Sequence, residues 1–264
     1  MATKKAAPSV KKSTVKKPTK TSTVKAVVAT KPALLFSSPL KGMPLATAIA
    51  AEFIGTFLFA GAVIAGQGQP IIILFAFAAI VLLIGTLSGA HLNPAVTIGA
   101  WVTRKITGSR AVGYIVAQVV GALAALGTLN AFIGGAAAPA TGYAPAALYQ
   151  AAAIPAGKEW YVFFAELIGT AILGFAIATI IRTRGDRLTS AFTAGLGIFV
   201  ALLVAASAAA YVGGTAIINP AVALSLNALK WEMWPLAVYV LAPVIGGVVG
   251  FILRDVLQSD DDNA

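Results

Sequence analysis

The residues of this chain that can do chemistry fall in two short stretches, SGAHLNPAVT at 88–97 and GTAIINPAVA at 214–223. Each holds an Asn-Pro-Ala box, at Asn93-Pro94-Ala95 and Asn219-Pro220-Ala221, followed by about ten apolar, helix-compatible residues. Asparagine is a strong N-cap, and proline is favoured at the first helical position, where its missing N–H costs nothing. Each box therefore predicts a loop feeding a short helix that starts at the asparagine. Ten residues reach roughly 15 Å, about half of a ~30 Å hydrocarbon core. Two capped half-helices inside a membrane protein are the signature of a pore or transport site.

The elements around the boxes must then cross a bilayer. The 264 residues are 59% hydrophobic and 11% charged, where a soluble domain carries roughly 25% charged residues. Six spans are expected, at about 45–66, 70–88, 111–134, 159–181, 188–212 and 233–253. The half-helices fall between spans two and three and between spans five and six. Irregular backbone at membrane depth is tolerated only where it is buried in protein or lines a cavity, so the paired loops imply an aqueous path. Small residues at helix-packing intervals, Gly113, Ala117 and Gly121 in span three and Gly246 and Gly250 in span six, allow close helix approach. Pro243 should kink span six.

The chain also repeats itself. AEFIGT at 51–56 returns as AELIGT at 165–170, and each copy leads to an Asn-Pro-Ala box. Three spans per half, about 45–134 and 159–253, give the halves opposite orientations, an inverted repeat with its site at the midplane.

Charge separates the ends from this body. Ten of the nineteen basic residues are lysines before residue 42, where there is no acidic residue, so residues 43–264 are formally neutral. Residues 1–42 read as a disordered, solvated, Lys-rich tail able to touch anionic lipid. Lysine alone lacks base-reading groups, which disfavours nucleic acid as a partner. Residues 256–264 form an acidic tail. With the N-terminus inside, seventeen basic residues are cytoplasmic and only Lys158 and Lys230 face outward, which places both termini in the cytoplasm, with the cell membrane the expected location. Trp160, Tyr161, Trp231 and Trp234 read as interfacial anchors. Cysteine is absent, which excludes disulfides and thiol chemistry. No nucleophile–base pair, carboxylate dyad or metal-ligand cluster is visible, so neither an enzyme, a cofactor nor a metal is expected.

Four polar residues within this body need a reason. Glu52 and Glu166 occupy equivalent places in spans one and four, where a carboxylate is costly unless paired. Hydrogen bonding to the backbone of the half-helix loops would account for them; a proton relay is the alternative. His91, the only histidine, either turns its loop or gates it, and by itself it makes no metal site. Gln118 reads as an inter-helical hydrogen-bonding residue.

The paired boxes, SGAHLNPAV, the AEFIGT/AELIGT repeat, YIVAQVVGA at 114–122 and APVIGG at 242–247 resemble the major intrinsic proteins, the aquaporins and glycerol facilitators. The resemblance covers essentially residues 43–255. It implies an all-α membrane protein of six transmembrane helices and two re-entrant half-helices, a homotetramer with one pore per subunit, and passive flow of water or small neutral solutes. Asn93 and Asn219 would donate their amides to a single file of solute. The opposed half-helix dipoles, roughly half a charge at each N-terminus, would disfavour cations and protons there.

One departure stands out. In most of that family the second box is followed by a selectivity-filter arginine, and here that residue is Val222. The other filter positions, placed by spacing from the boxes, are Ile73, Ser207 and Ala216. Loss of a fixed charge and a five-donor fork should widen the constriction towards glycerol, urea, ammonia or hydrogen peroxide. The rival readings are a dedicated solute facilitator with low water flow, a secondary transporter, and a membrane tether that works through its basic tail.

Overall fold

The computed structural model describes residues 1–2, 44–134, 148–183 and 185–259. The Lys-rich segment expected at 1–42 lies outside them, apart from its first two residues. Among the described residues every regular element is helical. They are α1 (Leu45–Ala65), α2 (Pro70–Ser88), α3 (Pro94–Val102), α4 (Gly108–Gly134), α5 (Glu159–Thr183), α6 (Arg187–Ala210), α7 (Pro220–Ser225), α8 (Met233–Leu236) and α9 (Ala242–Ser259). Six helices are long and apolar enough to cross a membrane, with α8 and α9 counting together as the sixth. Helix α9 runs to Ser259, four residues into the segment expected as an acidic tail.

Helix α2 begins at Pro70 because a proline at the first position has no N–H to satisfy, and it ends at Gly89, whose φ of 93° few other residues could adopt. The half-helices differ in length. Helix α3 has nine residues and α7 only six. Asn227, with φ 54°, turns the chain away directly after α7, and asparagine tolerates that left-handed conformation better than most residues. The expected kink in span six takes the form of a π-helical turn over Ala237–Leu241, just before Pro243. Pro243 offers no N–H to the Tyr239 carbonyl four residues back, and its ring would clash there. A wider turn relieves both defects.

The inverted repeat is visible in the packing. Helix α1 packs on α4 as α5 packs on α9, and each half-helix is held by the opposite half, α3 by α9 and α7 by α4. The small residues named above make these approaches possible. A Cβ at Gly121 would meet the Phe53 carbonyl oxygen and the Phe57 nitrogen, and one at Gly246 the Leu167 oxygen and Ala171 nitrogen, all closer than or near 3 Å. Phe53 and Leu167 are the third residues of the two AEFIGT/AELIGT copies, so the same contact is built twice. Backbone cannot yield as a flexible side chain can. Gly246→Ala is therefore expected to cost about 1–3 kcal/mol, read as a lower thermal midpoint in detergent. Gly127→Ala, where a Cβ meets nothing within 4 Å, should leave the midpoint unchanged or slightly raised.

Large apolar side chains such as Phe75, Leu83, Val112 and Phe164 remain exposed on the outer faces of the spans, as expected of surfaces that meet lipid. Trp160, Tyr161 and Trp231 are exposed near span ends, and Trp234 is half-buried against Trp160 with ring centroids 5.2 Å apart.

Candidate functional site: two asparagines between two cavities

Asn93 and Asn219 cap α3 and α7. The Asn93 Oδ1 accepts the Ala95 N–H at 2.9 Å, and the Asn219 Oδ1 accepts the Ala221 and Val222 N–H groups at 3.0 and 3.3 Å. Each amide nitrogen then reaches across the repeat. Asn93 Nδ2 donates to the Ile218 carbonyl and Asn219 Nδ2 to the Leu92 carbonyl, both at 2.8 Å. Capping consumes the oxygen and the cross-link one N–H, so each amide keeps one further N–H for another acceptor. Both side chains are about 1–2% exposed.

The accepting carbonyls belong to strained residues. Leu92 and Ile218 both adopt φ 53°, an outlier for a bulky leucine and for a β-branched isoleucine. Such strain persists only where its surroundings hold it, and two buried carboxylates do so here. Glu166 accepts both the Ile217 and the Ile218 N–H, the latter at 2.7 Å. Glu52 accepts the His91 N–H at 2.9 Å and the Leu92 N–H at 2.8 Å, together with the Ser88 hydroxyl at 2.6 Å and Gln118 Nε2 at 2.8 Å. The two glutamates thus do the same work in the two halves: they pin the loop so that the carbonyl before each asparagine faces the opposite asparagine. Glutamine at 166 would offer one acceptor and set an NH2 group against an N–H. Glu166→Gln is therefore expected to destabilise the protein by about 1–3 kcal/mol, seen as a lower midpoint in a thermal scan of the purified protein.

The first half carries an additional polar relay. Gln118 Nε2 donates to Thr97 Oγ1 at 2.9 Å, and Thr97 Oγ1 lies 3.2 Å from His91 Nδ1. The threonine hydroxyl has a second lone pair as well as its proton, so it can accept from Nδ1–H or donate to a bare Nδ1 according to the His91 tautomer. The Tyr114 hydroxyl donates to the Ser88 carbonyl at 2.6 Å and stands edge-on to His91. His91 thus links its loop to Thr97 of α3, and it also lines a cavity.

Two cavities flank the asparagine pair. The first, a narrow cavity of about 20 Å³, is lined by His91, Lys105, Val81, Ile177 and Ala194 among others. Its lysine is held by Asp255, at 2.8 and 3.0 Å. The second, of about 30 Å³, is lined by Ile73, Tyr149, Leu202, Ala216 and Val222 among others. Ile73 and Val81 lie on one helix, eight residues or about 12 Å apart, so the two cavities lie at different depths along the bundle. Three of the four residues placed as a filter by spacing, Ile73, Ala216 and Val222, line the second cavity together. Ser207 does not. It is exposed on α6, and that helix presents Ile198 and Leu202 to the cavity instead. The spacing argument assumed a fixed length from α6 to the box, and the turn at Tyr211–Gly213 shifts the register.

A sequence profile of the family described as "Major intrinsic protein" matches residues 39–253. The chain belongs to the major intrinsic protein family. It is 31% identical over 224 residues to the "Glycerol uptake facilitator protein-like 6" of Lactiplantibacillus plantarum, an alignment covering 80% of this chain and 98% of that one. It is 31% identical over 203 residues to "Aquaporin AqpM" of Methanothermobacter marburgensis, covering 70% and 74% of the two chains. Among solved structures, the aquaglyceroporin of Plasmodium falciparum superposes with a TM-score of 0.65 at 24% identity, covering 84% of this chain and all of that one. That likeness shows the aquaporin fold. Members of this family are channels, and the major intrinsic protein described here has no grouping of metal-ligating side chains among its described residues.

Residues that the sequence reading passed over complete the site. Ser88, Thr97 and Tyr114 belong to the first-half relay, and each sits within or beside a motif already quoted. Tyr149, Ile198 and Leu202 line the second cavity, and the only hint of Tyr149 in sequence is its isolation in the alanine-rich run AALYQAAA.

Proposed function

We propose that the protein is a passive channel for water and small uncharged solutes, with the solute passing between Asn93 and Asn219. The observation that carries this reading is the reciprocal amide-to-carbonyl pairing across the repeat, which fixes two helix N-termini and two spare N–H donors at one place between two cavities. The positive ends of α3 and α7 favour a solute oxygen there and disfavour a cation. Ile73, Ala216 and Val222 form a filter of small and apolar side chains in place of a cationic one, so selectivity by size and charge is relaxed towards glycerol-sized solutes. The channel works as a homotetramer, with both termini cytoplasmic and the Val222 cavity facing outward in the cell membrane. The excess of basic residues on one side supports that orientation.

A passive pore and an alternating-access transporter differ in their concentration dependence. Uptake of labelled glycerol into proteoliposomes should rise linearly up to high concentration and ignore sodium and pH gradients. Saturation at low millimolar glycerol, or acceleration by an ion gradient, would reject the channel.

A further inference from the structure

The Val222 cavity has lost the arginine of its family, yet its wall is not uniformly apolar. Tyr149 carries the only polar side chain among the residues that line it. Three observations suggest a built position. The segment is anchored on both sides of the second half's loop: the Ala151 N–H donates to the Leu226 carbonyl at 3.0 Å and the Ala152 N–H to Thr215 Oγ1 at 2.9 Å. The hydroxyl rests on Gly68, where a Cβ would lie 2.6 Å from the Tyr149 oxygen, and Gly68 has φ 68°. The hydroxyl has no hydrogen-bond partner within the described protein although the residue is half-buried, so both its donor and its acceptor capacity are open. Burial pushes the phenol's pKa up, which keeps the proton in place at neutral pH.

We propose that the Tyr149 hydroxyl is the polar, solute-binding group of the Val222 cavity, and that it favours small neutral solutes bearing a hydroxyl beside C–H surface, three-carbon polyols foremost. The proposal rests on the channel reading above and names its specificity residue. A polyol entering the cavity leaves its water behind. Its carbon face can lie against Ile73, Leu202 and Val222, while a hydroxyl exchanges a hydrogen bond with Tyr149. Water in file keeps neighbouring waters as partners and depends less on the wall.

The test compares glycerol and water permeability in proteoliposomes of the full chain, as the ratio of the two so that reconstitution yield cancels. Tyr149→Phe keeps the ring and removes the oxygen. It should lower the glycerol-to-water ratio roughly three- to tenfold, the equivalent of one hydrogen bond lost in transit. Gly68→Ala keeps the tyrosine and displaces its hydroxyl, and it should lower the ratio in the same direction. If Tyr149→Phe fails to insert, Tyr149→Met, which also removes the oxygen and keeps an apolar side chain, decides in its place, because Gly68 itself lines the cavity. A ratio unchanged in the variants, with fast glycerol flow in the parent protein, overturns the role of Tyr149 and leaves the channel standing. A parent no faster than empty liposomes overturns the channel reading, and the proposal with it.

Discussion

Proteoliposomes carrying Val222→Arg are expected to show glycerol permeability at least about tenfold below that of the unmodified protein, with water flow changed far less. Val222 is 2% exposed and its side chain shares a cavity of about 30 Å³ with Ile73 and Ala216. Arginine brings a planar cation with five donors into that space, and there is no acidic residue among those lining the cavity. It would narrow the passage and demand a solute small enough to go round it. A barrier increase of only about 1.4 kcal/mol for glycerol is a factor of ten in rate, and a steric constriction readily supplies that. Stopped-flow traces of glycerol and water flux on the same preparation give the ratio directly. An unchanged ratio would mean that this cavity does not set selectivity.

Asn219→Asp should have the second large effect, on charge exclusion. The substitution keeps an oxygen to cap Ala221 and Val222, so α7 can still start where it does. It replaces the Nδ2 donor to the Leu92 carbonyl with an oxygen, turning a 2.8 Å hydrogen bond into a repulsive contact. It also sets a negative charge where two helix N-termini converge, which cancels their roughly half-charge ends. Cation and proton conductance should rise by an order of magnitude or more, measured with an entrapped pH dye under an imposed gradient. The same dye should show no comparable leak for Asn219→Gln, which keeps the amide neutral. Equal leaks in the two variants, or none in either, would show that the half-helix dipoles do not guard the pore.

What could be read in the sequence follows from local rules with little freedom. The Asn-Pro pair fixes a helix start by capping chemistry, and α3 and α7 begin at Pro94 and Pro220 accordingly. The apolar runs fix the spans to within a few residues, because the bilayer sets their length. The carboxylates Glu52 and Glu166 stood out because nothing charged persists in a span without a partner, and the loop N–H groups are those partners.

What could not be read depends on how non-local pieces meet. Ser207 was placed by counting back from Asn219, and a single irregular turn at the end of α6 was enough to put it on the outside. The π turn before Pro243 was visible only as a kink, since proline forbids one hydrogen bond without specifying the detour. The six-residue length of α7 hangs on Asn227 adopting a left-handed conformation that its sequence permits but does not require. Tyr149 comes from a segment with no periodicity, and it joins the cavity because the backbone just after it, at Ala151 and Ala152, is tied to Leu226 and Thr215, more than sixty residues away.

The central claim is that two asparagine-capped half-helices form an open path whose filter, lacking an arginine, admits glycerol as well as water. Stopped-flow light scattering of proteoliposomes shifted into hypertonic glycerol tests it in one trace, the shrinking phase reporting water and the reswelling phase glycerol, each against empty liposomes. The account predicts that both phases are accelerated. Fast shrinkage followed by reswelling no faster than the empty control would contradict the open filter, and the absence of acceleration in either phase would contradict the channel itself.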